Sequence, residues 1–222
     1  MKVSKATVLM AWAVLWLPAW AADTGFKPLV DGRNLNAWQR SPGPWVVENG
    51  ILVLKDRTDE QMRNENYLWT KKMYGNFVLD LEFKVQPRSN SGVFLRTSDL
   101  KDPVQTGLEI QVASHAAGQP LDRGSVGGIY DLAAPRKNTL RPDDWNHYVI
   151  TCQGSRITVE MNGELVSEAD LEQWKEARQN PDGSENKFSR PLKDFARAGY
   201  IGLQDHGSWV AYRNIRIKEL KK

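Results

Sequence analysis

Three polar side chains, Arg96, Glu109 and Gln111, fall on predicted strands opposite the apolar residues. In the ranges 93–98 and 107–113 apolar residues recur at every second position, so the polar side chains occupy the other face of each strand. If the two strands are neighbours in one sheet, these side chains stand together on its open face. Faces of this kind commonly hold a ligand where a few polar groups converge. The alternative is a solvated face that carries an ordinary surface ion pair.

A second candidate cluster is Gln204-Asp205-His206-Gly207, followed by Trp209. It leaves a glycine-rich strand and enters the last strand, which predicts a short loop. Histidine is the side chain that transfers protons most readily near neutral pH, so His206 is the candidate for general acid or base chemistry. Asp205 could fix its tautomer, and Trp209 could stack on a sugar ring. A solvated loop histidine is the alternative.

Motifs of several other enzyme classes are absent from the sequence. It contains no HExxH, no paired CxxC, no GxSxG and no phosphate-binding glycine-rich loop. This argues against zinc proteases, serine hydrolases and nucleotide-binding enzymes. No ligand spacing identifies a metal site, and the sequence leaves open whether a divalent ion binds. Trp45, Trp69 and Trp145 are predicted core residues.

The elements that must position these residues are strands, because the dominant hydrophobic period is two. The clearest case is 77–85, where Phe77, Leu79 and Leu81 alternate with mostly polar residues. Asn49-Gly50 and Asn162-Gly163 separate apolar runs and predict hairpins. The predicted strands are 45–54, 77–85, 93–98, 107–113, 145–153, 156–162, 199–204 and 209–219. Many short strands with such turns indicate an all-β sandwich or jelly roll of one domain, residues 22–222.

Two ranges depart from this pattern. Residues 168–178 have helix-forming composition, with Leu171 and Trp174 at helical spacing, and predict a short surface helix. Residues 179–190 are polar, contain Pro181 and Gly183, and predict a mobile loop.

The first 21 residues read as a cleaved signal peptide, with an uncleaved anchor as the alternative. Lys2 and Lys5 precede an apolar stretch over 8–17, and Ala19-Trp20-Ala21 offers a cleavage site. We therefore expect an exported protein, periplasmic or extracellular, with no membrane contact after cleavage. Without this segment the formal charge falls from +3 to +1, so no feature favours nucleic acid as a partner. Cys152 is the sole cysteine and is predicted to be a small buried residue.

An ordered set of motifs spans nearly the whole chain after this segment. It comprises Gly25-Phe26, Leu29-Val30-Asp31-Gly32, Leu35, Trp38, Trp45, Asn49-Gly50, Tyr74-Gly75-Asn76-Phe77, Asn90-Ser91-Gly92-Val93, Arg96, Gly107-x-Glu109-x-Gln111, Gly127-Gly128-Ile129-Tyr130, Trp145-Asn146, Asn162-Gly163, Gly199-x-Ile201-Gly202-Leu203-Gln204-Asp205-His206-Gly207 and Arg213-Asn214-Ile215. The set resembles the 3-keto-disaccharide hydrolase family, also described as 3-keto-α-glucoside 1,2-lyases and 3-keto-2-hydroxy-glucal hydratases. Single pieces such as NSG would be weak, but their order over the chain is specific.

The resemblance implies a concanavalin A-like jelly roll of two antiparallel sheets. It also implies a substrate oxidised to a ketone at C3 by a sugar 3-dehydrogenase acting upstream. The ketone acidifies the hydrogen on C2, a base removes it, and the C1 oxygen leaves by elimination. Water then adds back to the 3-keto-2-hydroxy-glucal.

On this resemblance, His206 or Glu109 is the base and the other handles the leaving group. Arg96, assisted by Gln111, binds substrate or stabilises the enolate oxygen, and a divalent metal could take part of the arginine's role. The residues expected to shape the pocket are Asn90, Tyr130, Asp205 and Trp209.

Two other functions fit the same scaffold. One is a non-catalytic, lectin-like carbohydrate-binding module, because fold alone does not settle function. The other is an ordinary glycosidase, which needs two acidic side chains across the glycosidic bond. Asp205 is the sole evident acidic partner for Glu109 in the sequence.

Overall fold

The computed structural model describes residues 25–30, 34–39, 45–55, 67–116 and 118–221. The predicted signal peptide lies outside these residues. The strands in the described ranges are β1 (Lys27–Pro28), β2 (Trp45–Glu48), β3 (Ile51–Leu54), β4 (Leu68–Trp69), β5 (Phe77–Val85), β6 (Asn90–Thr97), β7 (Leu108–Ala113), β8 (Asn146–Gln153), β9 (Arg156–Met161), β10 (Glu164–Asp170), β11 (Tyr200–Leu203) and β12 (Val210–Glu219). Short helical turns cover Pro103–Thr106, Leu171–Gln173 and Leu192–Asp194. In the ranges that the structure covers, no helix is long and apolar enough to cross a membrane.

The strands form two antiparallel sheets, as predicted. The larger sheet has eight strands in the order β10-β9-β8-β5-β12-β3-β2, with β1 added alongside β12. The smaller sheet has four strands in the order β4-β11-β6-β7. All pairings are antiparallel, and the two sheets enclose one hydrophobic core, so the all-β prediction is confirmed.

The period-two pattern of β5 explains how the larger sheet faces the core. Phe77, Leu79, Leu81 and Phe83 are fully buried between the sheets. Asp80 and Glu82, at the alternate positions, point to the outer face, where they pair with arginines. Burying one face of a strand fixes its register, since a slip by one residue would put every apolar side chain in water.

The prediction of a helix over 168–178 is wrong. Residues 164–170 instead form β10, which pairs with β9 in the register Ser167↔Val159 and Ala169↔Ile157. Only a 3₁₀ turn, Leu171–Gln173, follows. The hydrogen bonds and core contacts that β9 supplies outweigh the weak helical propensity of this segment.

Cys152 lies on β8 with no exposed surface, and its neighbours across the ladders are Phe77 and Ile157. Burial raises the pKa of this thiol to about 12, which keeps it protonated and unreactive. The prediction of a small buried side chain is confirmed.

Candidate active site

The outer face of the four-stranded sheet carries Glu109 in a row with three other residues. Trp69 on β4 pairs with Gly202 on β11, which pairs with Phe94 on β6, which pairs with Glu109 on β7. Cross-strand partners project to the same face of a sheet. Val93 and Leu95, at the alternate positions of β6, point instead into the core.

A second row of the same face holds two glutamines on either side of a glycine. Gln111 pairs with Gly92, and the backbone N–H of Gln204 donates to the carbonyl of Gly92 at 2.8 Å. The structure therefore brings Glu109 and Gln111 together, as the strand pattern predicted. Gln204, from the predicted loop cluster, joins them.

Gly92 gives the carboxylate of Glu109 its position. A Cβ atom at residue 92 would lie 2.5 Å from Oε1 of Glu109 and 2.8 Å from its Cγ. Real Cβ atoms do not approach other atoms this closely, so any side chain here would displace the glutamate. The carboxylate of Glu109 therefore packs directly against the backbone of β6 at Gly92.

An aromatic cluster borders the carboxylate. Tyr67, Trp69 and Phe94 pack together with ring centroids 5.2–5.9 Å apart. Trp69 lies over Gly202, where a Cβ atom would come within 2.2 Å of the indole ring. Trp69 was predicted to be a core residue, and it is buried, but in this outer cluster rather than between the sheets.

The amide groups of the two glutamines point to a polar ligand. Gln111 donates from Nε2 to Oδ1 of Asn90 at 2.9 Å, and Gln204 donates from Nε2 to the hydroxyl of Tyr67 at 3.5 Å. Both side chains are more than nine-tenths buried, yet neither Oε1 accepts a hydrogen bond from any residue that the structure describes. Buried acceptors are rarely left unsatisfied, so these two oxygens mark a place on this face where a polar ligand or ordered water can donate hydrogen bonds.

The loop with His206 packs against the start of β6, at Asn90. Ser208 accepts from the N–H of Asn90 at 2.7 Å and donates to its carbonyl at 3.0 Å. Asp205 is fully buried, and its Oδ1 accepts from the N–H of Gly207 at 3.0 Å, which stabilises the turn. His206 itself is exposed.

Asn90 and Trp209 lie at this end as well. Asn90 accepts from Gln111, as described above, and so holds the amide of Gln111 in place. Trp209 is half-buried, and its carbonyl accepts from the hydroxyl of Ser89. The structure therefore places Asn90 beside the loop that carries His206 and Trp209.

Arg96 does not join the site, and this corrects the sequence-based expectation. Its φ of 52° lies in the left-handed region, and the β6–β11 register shifts between Tyr200 and Gly202. This irregularity reverses the strand alternation, so the side chain is 1% exposed and points away from the open face. The guanidinium donates to the carbonyls of Gly75 at 2.9 Å and Gly154 at 2.7 Å. Arg96 thereby ties β6 to turns of the larger sheet.

Lys187 provides the positive charge that Arg96 does not. Its Nζ lies 3.8 Å from Oε2 of Glu109 and 4.5 Å from the ring centroid of Tyr130. Lys187 belongs to the 179–190 loop, whose polar sequence gave no reason to single it out. The one signal is Phe188, an aromatic residue in a polar stretch, which is 1% exposed and anchors the loop.

Tyr130 lies next to β7 and borders the site there. Its N–H donates to the carbonyl of Glu109 at 2.8 Å, and its side chain is 37% exposed. Burial, followed by the charges of Glu109 and Asp131, raises the pKa of the Tyr130 phenol above its ordinary value. A hollow of about 590 Å³ opens beside Tyr130, lined also by Asp122 and Arg123. This volume is typical of small-ligand sites.

A larger hollow, of about 1080 Å³, lies on the outer face of the eight-stranded sheet, away from Glu109. It contains Trp145, which is half-buried, so its prediction as a core residue is wrong. The guanidinium of Arg213 lies 4.1 Å from the Trp145 ring centroid and pairs with Glu82. On this surface the charged side chains Asp80, Glu82, His147, Arg213 and Arg216 pair with one another.

An ion pair in this hollow makes the stability depend on pH. Nε2 of His147 lies 3.2 Å from Asp80, which also accepts from Arg216 at 3.1 Å. Burial alone would raise the pKa of Asp80, but the hydrogen bonds from His147 and Arg216 outweigh it and lower this pKa below 3.8. The hydrogen bond to Asp80 raises the pKa of His147 above 6.5, against a smaller opposing effect of burial.

We therefore expect the pair to stabilise the fold most between about pH 4 and pH 6.5. The contribution of Asp80 is lost as the pH falls through its lowered pKa, and that of His147 as the pH rises through its raised pKa. In thermal unfolding, His147→Gln should lower Tm most near pH 5 and least near pH 8. His115→Gln, on an exposed loop, is the matched control. An equal loss of Tm at both pH values would contradict the pairing.

No metal site is evident at the candidate active site. In the ranges of the chain described above, no three His, Cys, Asp or Glu side chains lie close enough to hold an ion. The polar groups around Glu109 are amides, a phenol and an ammonium, which suit hydroxyl and carbonyl groups of an organic ligand.

Comparisons with known proteins agree with this picture. A protein of Bacteroides thetaiotaomicron named 3-keto-disaccharide hydrolase is 26% identical over 229 residues, which cover 88% of this chain and 79% of the relative. A crystal structure from Parabacteroides distasonis, named "putative glycosyl hydrolase", is 34% identical with a TM-score of 0.77 and covers 88% of this chain and 99% of its own.

More distant structures share the fold alone. A Bacillus subtilis protein with a galectin-like fold is 14% identical, has a TM-score of 0.53 and covers 87% of this chain and 94% of its own. Together with the two antiparallel sheets, this likeness confirms the predicted concanavalin A-like jelly roll. Residues 25–218 match the profile of the 3-keto-alpha-glucoside-1,2-lyase-like domain. The match spans both sheets and every residue of the candidate site, and the chain therefore belongs to the 3-keto-alpha-glucoside-1,2-lyase-like domain family.

Proposed function

We propose that this protein cleaves 3-keto-glycosides by elimination across C1 and C2, and hydrates the resulting 3-keto-2-hydroxy-glucal. The observation that carries the proposal is the outer face of the small sheet. There a buried carboxylate, Glu109, stands beside two buried amide oxygens, of Gln111 and Gln204, that accept no hydrogen bond from the described residues. The family membership and the names of the relatives support a carbohydrate substrate.

In the first step Glu109 takes the proton from C2. The C3 ketone makes this proton acidic, and the electron pair moves onto the C3 oxygen to give an enolate. The enolate then collapses, the C1=C2 double bond forms, and the C1–O bond to the aglycone breaks. Glu109 lies on the same face as the two glutamine amides, whereas His206 lies on an exposed loop, and this placement favours Glu109 over His206 for this step.

His206 suits the leaving group. It is exposed, on a loop that follows Gln204 and is tied to Asn90 through Ser208, so it can exchange protons with solvent between turnovers. As the aglycone departs, an imidazolium would donate a proton to its oxygen. In hydration the roles reverse: imidazole activates water for attack at C1, and protonated Glu109 returns a proton to C2.

The two glutamines would orient the sugar. Their amide oxygens can accept from sugar hydroxyls, and Asn90 holds the amide of Gln111 in place. The hollow beside Tyr130 offers room for the second sugar or another aglycone. The substrate would come from a sugar 3-dehydrogenase, and the predicted signal peptide would place the reaction in the periplasm or outside the cell.

The test is a product assay on matched disaccharides, one oxidised at C3 and one not, with and without a chelator. Release of the aglycone and the enone from the 3-keto substrate alone supports the proposal. Cleavage of the unoxidised sugar would indicate an ordinary glycosidase. Binding of both sugars without any product would indicate a lectin-like module. Loss of turnover in the chelator would add a divalent metal to the site.

A further inference from the structure

Elimination from a 3-keto-glycoside needs a third group besides base and acid. As C2 loses its proton, negative charge develops on the C3 oxygen, and a positive group there lowers the barrier most. Arg96 cannot serve, because its guanidinium is bound to backbone carbonyls of Gly75 and Gly154. Another group near Glu109 is needed to supply this charge.

Lys187 has the matching position. Its Nζ lies 3.8 Å from Oε2 of Glu109. This separation is longer than the 2.7–2.9 Å of a direct charge-assisted hydrogen bond, so the two groups form an ion pair without a short hydrogen bond to Oε2. In the substrate, C2 and the C3 oxygen are only two bonds apart. A base that serves C2 and a cation that serves the C3 oxygen must therefore lie within a few ångströms of each other.

The surroundings of Lys187 favour a directed charge rather than a solvated one. Its side chain is 20% exposed, and the Nζ lies over the rings of Tyr130 and Phe188, at 4.5 Å and 5.3 Å from their centroids. The N–H of Lys187 donates to Asp131, which fixes the backbone beside Tyr130. A lysine held in this way loses little freedom when it meets a ligand, and its charge acts through a poorly screened medium.

We propose that Lys187 donates a hydrogen bond to the C3 carbonyl oxygen of the substrate and stabilises the enolate that forms when Glu109 removes the C2 proton. This inference rests on the proposed function, and it assigns to the 179–190 loop the role that the sequence gave to Arg96. No bond to the lysine forms: the ammonium keeps its protons, and the electron pair returns from the oxygen to C2 as the aglycone leaves.

The charge of Lys187 also sets an alkaline limit on activity. Burial lowers the pKa of this amine, while the charges of Glu109 and Asp131 oppose the shift in part. The lysine therefore loses its proton at a lower pH than an exposed lysine does. The alkaline limb of the kcat profile should report this loss, because the neutral amine no longer stabilises the enolate.

The experiment compares Lys187→Met and Lys187→Arg with the wild type on a 3-keto-disaccharide. Lys187→Met should lower kcat by about 10²–10³-fold, the effect of removing one oxyanion donor. It should also slow the exchange of the C2 proton with deuterated water. Lys187→Arg should recover part of the rate, and its alkaline limb should vanish, because a guanidinium does not lose its proton in this pH range. Lys193→Met is the control, because Lys193 is exposed and lies on the next helical turn, Leu192–Asp194.

The outcomes separate this inference from the proposed function. If the wild type does not turn over the 3-keto substrate, the proposed function fails. If the wild type does and Lys187→Met matches its rate, only the role of Lys187 fails. Should Lys187→Met not fold, the pH profile of Lys187→Arg decides: an alkaline limb unchanged from wild type would overturn the assignment.

Discussion

Replacing Glu109 by glutamine should lower kcat for a 3-keto-glycoside by about 10²–10⁴-fold, the usual contribution of a positioned base. Glutamine has almost the same shape and still fits over Gly92, so the sheet should keep its structure. It cannot take a proton from C2, and therefore both elimination and exchange of the C2 proton should fail together. The measurement is kcat and KM by aglycone release, with deuterium exchange at C2 followed by NMR.

Glu160→Gln is the matched control, because Glu160 lies on β9 with an exposed side chain. It should leave kcat and Tm at their wild-type values. A second readout concerns Lys187, whose pKa the charge of Glu109 raises. Without that charge, the residual activity should decline at a lower pH than in the wild type. A wild-type kcat in Glu109→Gln would remove the carboxylate from the mechanism.

The strands were predictable because each has one buried face. In β5 the alternation of Leu79 and Leu81 with Asp80 and Glu82 matches the pleat, and the core enforces it. The turn Asn49-Gly50 has positive φ at both residues, 51° and 82°, which asparagine and glycine tolerate. Local sequence and tertiary structure agree at these places, so a single sequence suffices.

The segment 168–178 was mispredicted because its helical sequence signal conflicts with the pairing of 168–170 with β9. Leu171 and Trp174 are buried, as their spacing suggested. The residues before them, however, complete the edge of a sheet next to β9. A helical propensity of a few tenths of a kcal/mol per residue cannot compete with a full ladder of hydrogen bonds.

Some residues of the candidate site could be predicted from the sequence and others could not. Glu109 and Gln111 follow from strand alternation, because their strand is regular where it pairs with β6. Lys187 follows from no local pattern, since its place depends on how a loop distant in sequence docks over β7. The glycines at 92 and 202 act through the absence of a side chain, and only the packing of Glu109 and Trp69 over them reveals why they are needed.

At Arg96 one residue with irregular backbone geometry makes the prediction from strand alternation fail. Replacing this residue is expected to have the second large effect. Arg96→Met should lower the free energy of unfolding by about 3 kcal/mol, because the hydrogen bonds from the buried, charged guanidinium to the carbonyls of Gly75 and Gly154 are lost. At a temperature where the variant is still folded, kcat on the 3-keto substrate should stay near the wild-type value. Urea unfolding and kinetics on the same samples provide the measurement, with exposed Arg141→Met as the control.

The position of the Arg96 side chain explains why stability should fall while kcat should not. The left-handed φ of Arg96 carries its side chain to the inner side of the small sheet, where it joins β6 to the turns before β5 and after β8. In this position the guanidinium links the two sheets, so its loss should destabilise the whole fold. A stable Arg96→Met protein with a collapsed kcat would show the reverse, that the guanidinium acts on the substrate and that the charge at the C3 oxygen comes from β6 rather than from the loop of Lys187.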